Sequence, residues 1–141
     1  MLKKILLAFD GSVNALKAAD YAISMAKCND GSVEILHVRE TVTSYPSRVV
    51  FDSNEMEKEL ITEAEEVIAQ GIAKFKDSGV EFTTLIKTGD PAEVICDEAE
   101  KMGATEIIIG SRGMNAVSRF FLGSVSLKVL SHAHCTTLVV K

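Results

Sequence analysis

The chain has 141 residues, a formal net charge of -5 at pH 7, and 47% hydrophobic and 25% charged residues. A chain of this length forms one domain and buries about 68 to 70% of the surface that its unfolded form exposes, so it needs no disulfide or metal to fold. The acidic balance, without a basic and aromatic cluster, argues against a nucleic-acid surface, and no apolar run approaches the ~20 residues of a membrane span. We therefore expect one domain over residues 1–141 that binds neither nucleic acid nor membrane.

The cysteines and the N-terminus indicate a cytoplasmic protein. Cys28, Cys96 and Cys135 are odd in number, far apart and without metal-ligand spacing, so they are expected to be reduced thiols. The apolar run that follows Lys3 and Lys4 has five residues, which is too short for a secretory signal.

The first half of the chain alternates strand and helix patterns. The segments are a strand at residues 4–9, a helix with apolar positions from 15 to 26, a strand at 32–38, and a long amphipathic helix at 55–76. Residues 39–54 between the last two form a polar connection without a clear period. The glutamates of the long helix, at 55, 57, 59, 63, 65 and 66, are expected to form a solvated face.

The second half continues the alternation. Its segments are a strand at residues 80–88 suited to a sheet edge, a helix after Asp90-Pro91-Ala92-Glu93 that Gly103 closes, a buried strand at 105–109, a short helix from Gly123-Ser124 to His132, and a last strand at 136–140. Strands that alternate with helices predict an α/β fold with a five-stranded parallel open sheet and helices on both faces.

The turns after the first and fourth strands are the candidate ligand loops. Ligands of open α/β sheets bind at the carboxyl ends of strands where the winding reverses. Asp10-Gly11-Ser12 and the glycine loop at residues 110–113 face one ligand only if the first and fourth strands are neighbours, which gives the order 3-2-1-4-5.

Glycines after the fourth strand have a spacing that suits a phosphate chain. Gly110 and Gly113 allow positive φ and close approach to the backbone, and nine residues later Gly123 and Ser124 open a helix whose first amides attract an anion. Arg112 could meet phosphate oxygens. The alternatives are that the glycines only form turns and that Arg112 is a surface charge.

Two further residues are candidates for the nucleoside part of a ligand. A carboxylate at Asp10 could accept hydrogen bonds from vicinal ribose hydroxyls, or it could only cap the first helix. Val38, at the end of the second strand, could form an apolar wall for a base.

Several other features favour ordinary structural roles. The apolar residues between the glycines, Met114, Val117, Phe120, Phe121 and Leu122, are expected to fold down on the domain or a partner. His132 and His134 suit a helix end or plain surface better than a metal, and His37 suits packing within its strand.

At these residues the chain resembles the universal stress protein family, in its nucleotide-binding branch. The family motif G-x-x-G, nine residues and G-[S/T] is matched by Gly110, Gly113, Gly123 and Ser124, and the likeness extends from the first strand to the last. Thr136 stands where relatives often have proline, and Arg112 where they often have histidine.

The resemblance implies a Rossmann-like fold of the adenine nucleotide alpha hydrolase type, ATP at the ends of strands one and four, and a homodimer through Thr136 to Val140. It implies a ribose contact for Asp10, an adenine contact for Val38, and phosphate or ribose contacts around the glycine motif. The expected nucleotide-binding residues are Ala8, Phe9, Asp10, Val38, Ile109, Gly110, Arg112, Gly113, Gly123, Ser124 and Val125.

The residues favour a nucleotide-dependent stress or signalling module over an enzyme. The sequence offers no convincing general base near the glycine loop, and a Walker A loop would need Gly-Lys before Ser124. Any Mg²⁺ that accompanies ATP is expected to be held chiefly by phosphate oxygens and water, with no metal ligand named from the protein. The alternative is a slow ATPase or another enzyme of the same fold that uses adenine nucleotide.

Overall fold

The computed structural model describes residues 2–39, 53–113 and 122–141. Its elements in chain order are β1 (Lys4–Ala8), α1 (Val13–Cys28), β2 (Ser32–Arg39), α2 (Ser53–Phe75), β3 (Glu81–Thr88), α3 (Pro91–Met102), β4 (Glu106–Gly110), α4 (Ser124–His132) and β5 (Thr136–Val140). Every predicted element is present, with ends shifted by one or two residues. Most of the predicted connection at 39–54 and of the apolar segment at 114–122 lies outside the described residues.

The five strands form one parallel sheet in the order β3-β2-β1-β4-β5, as predicted. Strand β1 lies in the middle, with Ala8 opposite Leu36 of β2 and Ile109 of β4. β3 is an edge strand, which agrees with its alternating sequence. The winding therefore reverses between β1 and β4, and the turns that follow these strands lie side by side.

Helices cover both faces of the sheet and enclose two hydrophobic cores. Residues of α1 and α2 pack on one face against alternate strand residues such as Ile5 and Leu7, while α3 and α4 pack on the other face against Leu6 and Ile107. These four strand residues are fully buried. Because the central strands are covered on both sides, they have continuous apolar runs rather than an alternating pattern.

Local signals set the ends of α3. The Asp90 carboxylate accepts a hydrogen bond from the Glu93 amide at 3.1 Å, and Pro91 occupies the first helical position. Gly103 ends the helix in the left-handed conformation, with φ +69°, and its amide donates to the carbonyls of Ala99 and Glu100. The structure thus confirms both ends of the helix as predicted.

Two glutamates depart from the solvated positions that their sequence context favours. Glu57 of α2 is half-buried and pairs with Arg39 at 2.7 Å, whereas the other predicted face glutamates are exposed. Glu98 of α3 is buried on the core side of its helix, where it pairs with Lys87. Among the described helices, none is long and apolar enough to cross a membrane.

Candidate functional site

The candidate site lies where β1 and β4 end, at the edge of the sheet formed by the carboxyl ends of the strands (the carboxyl edge). Ala8 and Ile109 are paired across these neighbouring strands. The chain then leaves β1 into the Asp10 turn and leaves β4 into the glycine loop. The two loops that the sequence analysis paired are therefore adjacent in the fold.

Asp10 is held by its own turn and keeps one carboxylate oxygen available. Its Oδ1 accepts a hydrogen bond from the Ser12 amide at 2.9 Å. Ser12, not Asp10, caps α1, because its hydroxyl accepts from the Ala15 amide at 3.1 Å. The interpretation of Asp10 as only a helix cap is therefore wrong. In the described part of the chain, Oδ2 of Asp10 accepts no hydrogen bond.

Gly113 brings the glycine loop against Asp10. A Cβ built on Gly113 would lie 2.9 Å from Oδ2 of Asp10, closer than real Cβ contacts. Glycine at 113 thus allows the two loops to approach until a single ligand can contact both.

Neither Gly110 nor Gly113 uses the positive φ that glycine allows, and in the two turns of the site the glycine with positive φ is Gly11, with φ +79°. Gly110 is instead the last residue of β4 and packs against the start of α1. A Cβ there would lie 2.9 Å from Cβ of Asn14 and 3.1 Å from the amide nitrogen of Ala15. Glycine at this position is required by close packing of a strand against a helix.

The N-terminus of α4 lies beside the glycine loop and has no side-chain cap. Gly123 is the N-cap residue and has no side chain with which to cap the helix, and Ser124 is exposed in the first turn with half-buried Val125 behind it. The first amides of a helix have no partner within the helix, and the helix dipole places positive charge there. This turn can therefore donate to a phosphate group.

Ser111 connects the parts of the site, and the sequence analysis did not identify it. Its carbonyl accepts from the Gly123 amide at 2.7 Å and from the Ser126 hydroxyl at 2.9 Å. Its amide donates to the Val140 carbonyl at 2.7 Å, and its hydroxyl accepts from the Asn14 side-chain amide at 3.0 Å. Ser111, Asn14 and Ser126 are all buried. Single polar residues like these belong to no repeating pattern, so only the fold reveals them.

The ends of β1 and β2 form the apolar side of the site. Val38 and Ala8 belong to the core on the α3 and α4 face, while Phe9 is buried on the opposite face. The His37 ring nitrogen Nδ1 lies 2.9 Å from the Phe9 carbonyl oxygen, and because a carbonyl only accepts, Nδ1 carries the proton. These contacts fix the backbone that leads into the Asp10 turn.

Arg112 projects from the middle of the glycine loop and is half-buried. Within residues 2–39, 53–113 and 122–141 it makes no ion pair or hydrogen bond. Its role toward a phosphate stays a prediction.

A second cluster of charged groups lies on the α3 face. The pKa of Glu34 is raised to about 7, first by burial and then by the hydrogen bond and the charge of the adjacent Glu98 carboxyl. Burial alone would raise the pKa of Glu98 too, but hydrogen bonds from Lys87 and Glu34 and the charges of Lys87 and Lys101 lower it. The pair therefore holds its proton on Glu34.

Among known proteins, the universal stress protein family has a sequence model that matches residues 1–141 of this chain. The chain belongs to the universal stress protein family. Universal stress protein YxiE of Bacillus subtilis is 34% identical over the full length of both chains.

Solved structures of the family share the fold. The structure of protein MJ0577 covers 100% of this chain, with 96% of its own length matched, 30% identity and a TM-score of 0.85. A universal stress protein of Arabidopsis thaliana solved with AMP bound covers 99% of this chain, with 91% of its own length matched, 24% identity and a TM-score of 0.73. Other family structures with this fold were solved with dAMP and with cAMP.

Proposed function

We propose that this universal stress protein binds an adenine nucleotide, ATP in the first place, at the carboxyl ends of β1 and β4. The observation that carries the proposal is the approach of Asp10 Oδ2 to Gly113 beside the N-terminus of α4, which has no side-chain cap. In this proposal the Asp10 carboxylate and the first amides of α4 contact the same ligand, the carboxylate at a ribose and the amides at the attached phosphate chain. Relatives with the same fold hold AMP, dAMP and cAMP, which supports the adenine base.

The proposed roles follow the chemistry of each group. Asp10 accepts from ribose hydroxyls, Val38 lies beside the base, and the first amides of α4 donate to phosphate oxygens. The proposed lining is Ala8, Phe9, Asp10, Val38, Ile109, Gly110, Arg112, Gly113, Gly123, Ser124 and Val125. We expect any accompanying Mg²⁺ to be held by phosphate oxygens and water.

Analysis of co-purified ligand tests the identity of the base. Protein purified without added nucleotide is denatured, and the released small molecules are identified by chromatography and mass spectrometry. We expect adenine nucleotide from the natural chain and none from Gly113→Val prepared in parallel. A flavin, a dinucleotide or a guanine nucleotide in stoichiometric amount would contradict the proposal.

We infer that the protein senses or signals with its nucleotide rather than consuming it quickly. Asp10, the carboxylate at the junction of the two loops, is already engaged with Ser12 and is assigned to the ribose. We expect ADP production from saturating ATP to stay well below the ~1 s⁻¹ typical of slow enzymes. Turnover above that rate would place the chain among ATP-hydrolysing enzymes instead.

We further propose a homodimer formed through β5. This strand pairs only with β4 and leaves its other edge open, and its residues Leu138, Val139 and Val140 are half-buried in the monomer. An apolar edge strand favours pairing with a second copy. We expect a dimer mass by light scattering at high micromolar concentration, and a monomer there would contradict it.

The three cysteines are free, which supports a thiol-reducing, cytoplasmic setting for this activity.

A further inference from the structure

Asn14 and Ser111 form the one side-chain hydrogen bond among the described residues that joins the Asp10 side of the site to the glycine-loop side. The Asn14 side-chain nitrogen donates to the Ser111 hydroxyl at 3.0 Å, across 97 residues of sequence. Asn14 is only 7% exposed and Ser111 only 4%. A buried amide loses its hydration, so it is tolerated only where a partner satisfies it.

Each partner is fixed firmly to its own half of the site. Asn14 lies in the first turn of α1, whose cap Ser12 also donates its amide to Asp10. Ser111 is fixed by backbone groups of Gly123 and Val140 and by the Ser126 hydroxyl. In addition to the β1–β4 pairing, the Asn14–Ser111 bond therefore connects the group that carries the Asp10 carboxylate to the group that carries the amides of α4.

Gly110, the residue before Ser111, strengthens this connection by packing closely against Asn14. Its missing side chain lets the Asn14 backbone approach until a Cβ would lie 2.9 Å from Asn14 Cβ. The contact sets how near α1 lies to β4, and the hydrogen bond next to it sets how the two are aligned. Together they align the start of α1, which follows the Asp10 turn, with the end of β4, which precedes Gly113.

We propose that Asn14 and Ser111 are positioning residues that hold the ribose-binding and phosphate-binding halves of the site in register. This inference rests on the proposed function. A ligand that contacts both halves binds more tightly when they are held in register, because no free energy is spent on ordering the two sets of groups. A ligand that contacts only one half does not benefit. The Asn14–Ser111 bond should therefore raise the affinity for ATP and leave the affinities for adenosine and tripolyphosphate unchanged.

Calorimetric titration of the purified full-length protein tests the inference with ATP, adenosine and inorganic tripolyphosphate as probes. We expect Asn14→Ala and Ser111→Ala each to weaken ATP about tenfold. We expect the affinities for adenosine and tripolyphosphate to change less than about twofold.

The double variant separates a shared role from two independent ones. Because both substitutions break the same bond, Asn14→Ala with Ser111→Ala should weaken ATP no more than either alone. Losses that multiply to about a hundredfold would mean that each residue contacts the ligand independently, and the inference would be overturned. ATP affinity unchanged in both single variants would overturn it as well.

Thr105→Ala is the matched control. Thr105 links β1 and β4 at their amino ends, far from the site. Its hydroxyl accepts from the Lys4 amide and donates to the Lys4 carbonyl, both at 3.0 Å. We expect it to lower thermal stability without changing ATP affinity. If Thr105→Ala weakened ATP as much as Asn14→Ala, the effect would be one of general stability and the inference would fail.

Amide exchange in the natural protein is a test that does not depend on how the variants fold. In nuclear magnetic resonance spectra the Asn14 side-chain amide should exchange slowly with solvent both before and after ATP is added, since a preformed bond needs no ligand. Fast exchange in the free protein would contradict a preformed register. Absence of ATP binding by the natural chain would instead defeat the proposed function itself.

Discussion

The two ends of the β1–β4 pair differ in the polar contacts that the protein makes there. At the amino ends, Thr105 bonds to Lys4 through backbone and side chain, and Lys3 lies 3.4 Å from both carboxylate oxygens of Glu106. At the carboxyl ends, Asp10 keeps Oδ2 available and α4 begins without a side-chain cap. The amino ends of these strands are thus joined to each other by side-chain bonds, whereas the carboxyl ends carry the groups that we propose bind a ligand.

This difference arises in the loops and not in the strands. Both edges are built on the same buried apolar residues, which stabilise the sheet whatever the loops contain. Among the described residues, glycine, an aspartate and a helix without a side-chain cap come together where the chain turns back at the carboxyl edge. Changes at that edge should therefore affect binding first, and changes elsewhere should affect stability first.

Gly113→Val should have the largest effect, on binding. Its Cβ would meet Asp10 Oδ2 at 2.9 Å, and because the obstacle is the end of a side chain, the fold can adjust while the ligand cannot. We expect ATP affinity to fall more than about a hundredfold, equivalent to about 2.7 kcal/mol, in calorimetric titration. Thermal unfolding should remain cooperative, and unchanged affinity would mean that this loop does not hold phosphate.

Gly110→Ala tests the part of the carboxyl edge that is closed by packing. The added Cβ would meet the Asn14 and Ala15 backbone at 3.0 and 3.1 Å, and backbone cannot move aside cheaply. We expect a loss of about 1 to 3 kcal/mol in the free energy of unfolding measured with urea. Gly113→Ala is the control and should lose less, since its neighbour is a carboxylate end. Equal losses would contradict the difference drawn between the two glycines.

Asp10→Asn should reduce ATP affinity about tenfold, or about 1.4 kcal/mol, because an amide offers one acceptor oxygen where the carboxylate offers two. That oxygen can still accept from Ser12, so the turn is retained. Titration with 2′,3′-dideoxy-ATP provides the control, since it lacks the hydroxyls that Asp10 is proposed to bind. An equal loss for both ligands would assign Asp10 to another part of the nucleotide.

Glu34→Gln should have the smallest effect and leave the carboxyl edge untouched. Glu34 has a pKa of about 7 when folded against an ordinary value of 4.5, so the folded state binds more protons between these values and the stability contributed by this group falls as pH rises. Glutamine keeps the neutral form at every pH. We expect the free energy of unfolding to rise by about 1 kcal/mol at pH 8, a value already reduced for the partial exposure of Glu34, and not to rise at pH 4.

Urea unfolding at both pH values checks the Glu34 prediction, with exposed Glu63→Gln as the control. A gain that is equal at pH 4 and pH 8 would show that folding does not raise the pKa of Glu34. ATP affinity should not change, and a change would contradict the separation of the two regions.

The order of the strands was predictable from the loops. Asp10-Gly11-Ser12 and the glycine motif are useful together only if β1 and β4 are neighbours, and the sheet has that order. The caps of α3 were equally clear, because Asp90, Pro91 and Gly103 each act within a few residues of sequence. Short-range chemistry and one functional constraint were sufficient for the fold.

The finer structure of the site was not predictable in the same way. The packing role of Gly110 was not predictable, because it depends on α1, which lies nearly a hundred residues away in the sequence. The burial of Asn14 and Glu98 was not predictable either, because it depends on their partners Ser111 and Lys87. Sequence patterns report periodicity and turns, whereas these contacts depend on tertiary packing.

The most direct test of an adenine-nucleotide site at the carboxyl edge is calorimetric titration of ATP into protein stripped of bound ligand, with Gly113→Val as the reference. We predict saturable binding of one ATP per chain to the natural protein at submillimolar concentration, and no binding to the variant. No measurable binding by the natural protein up to millimolar ATP would contradict the account.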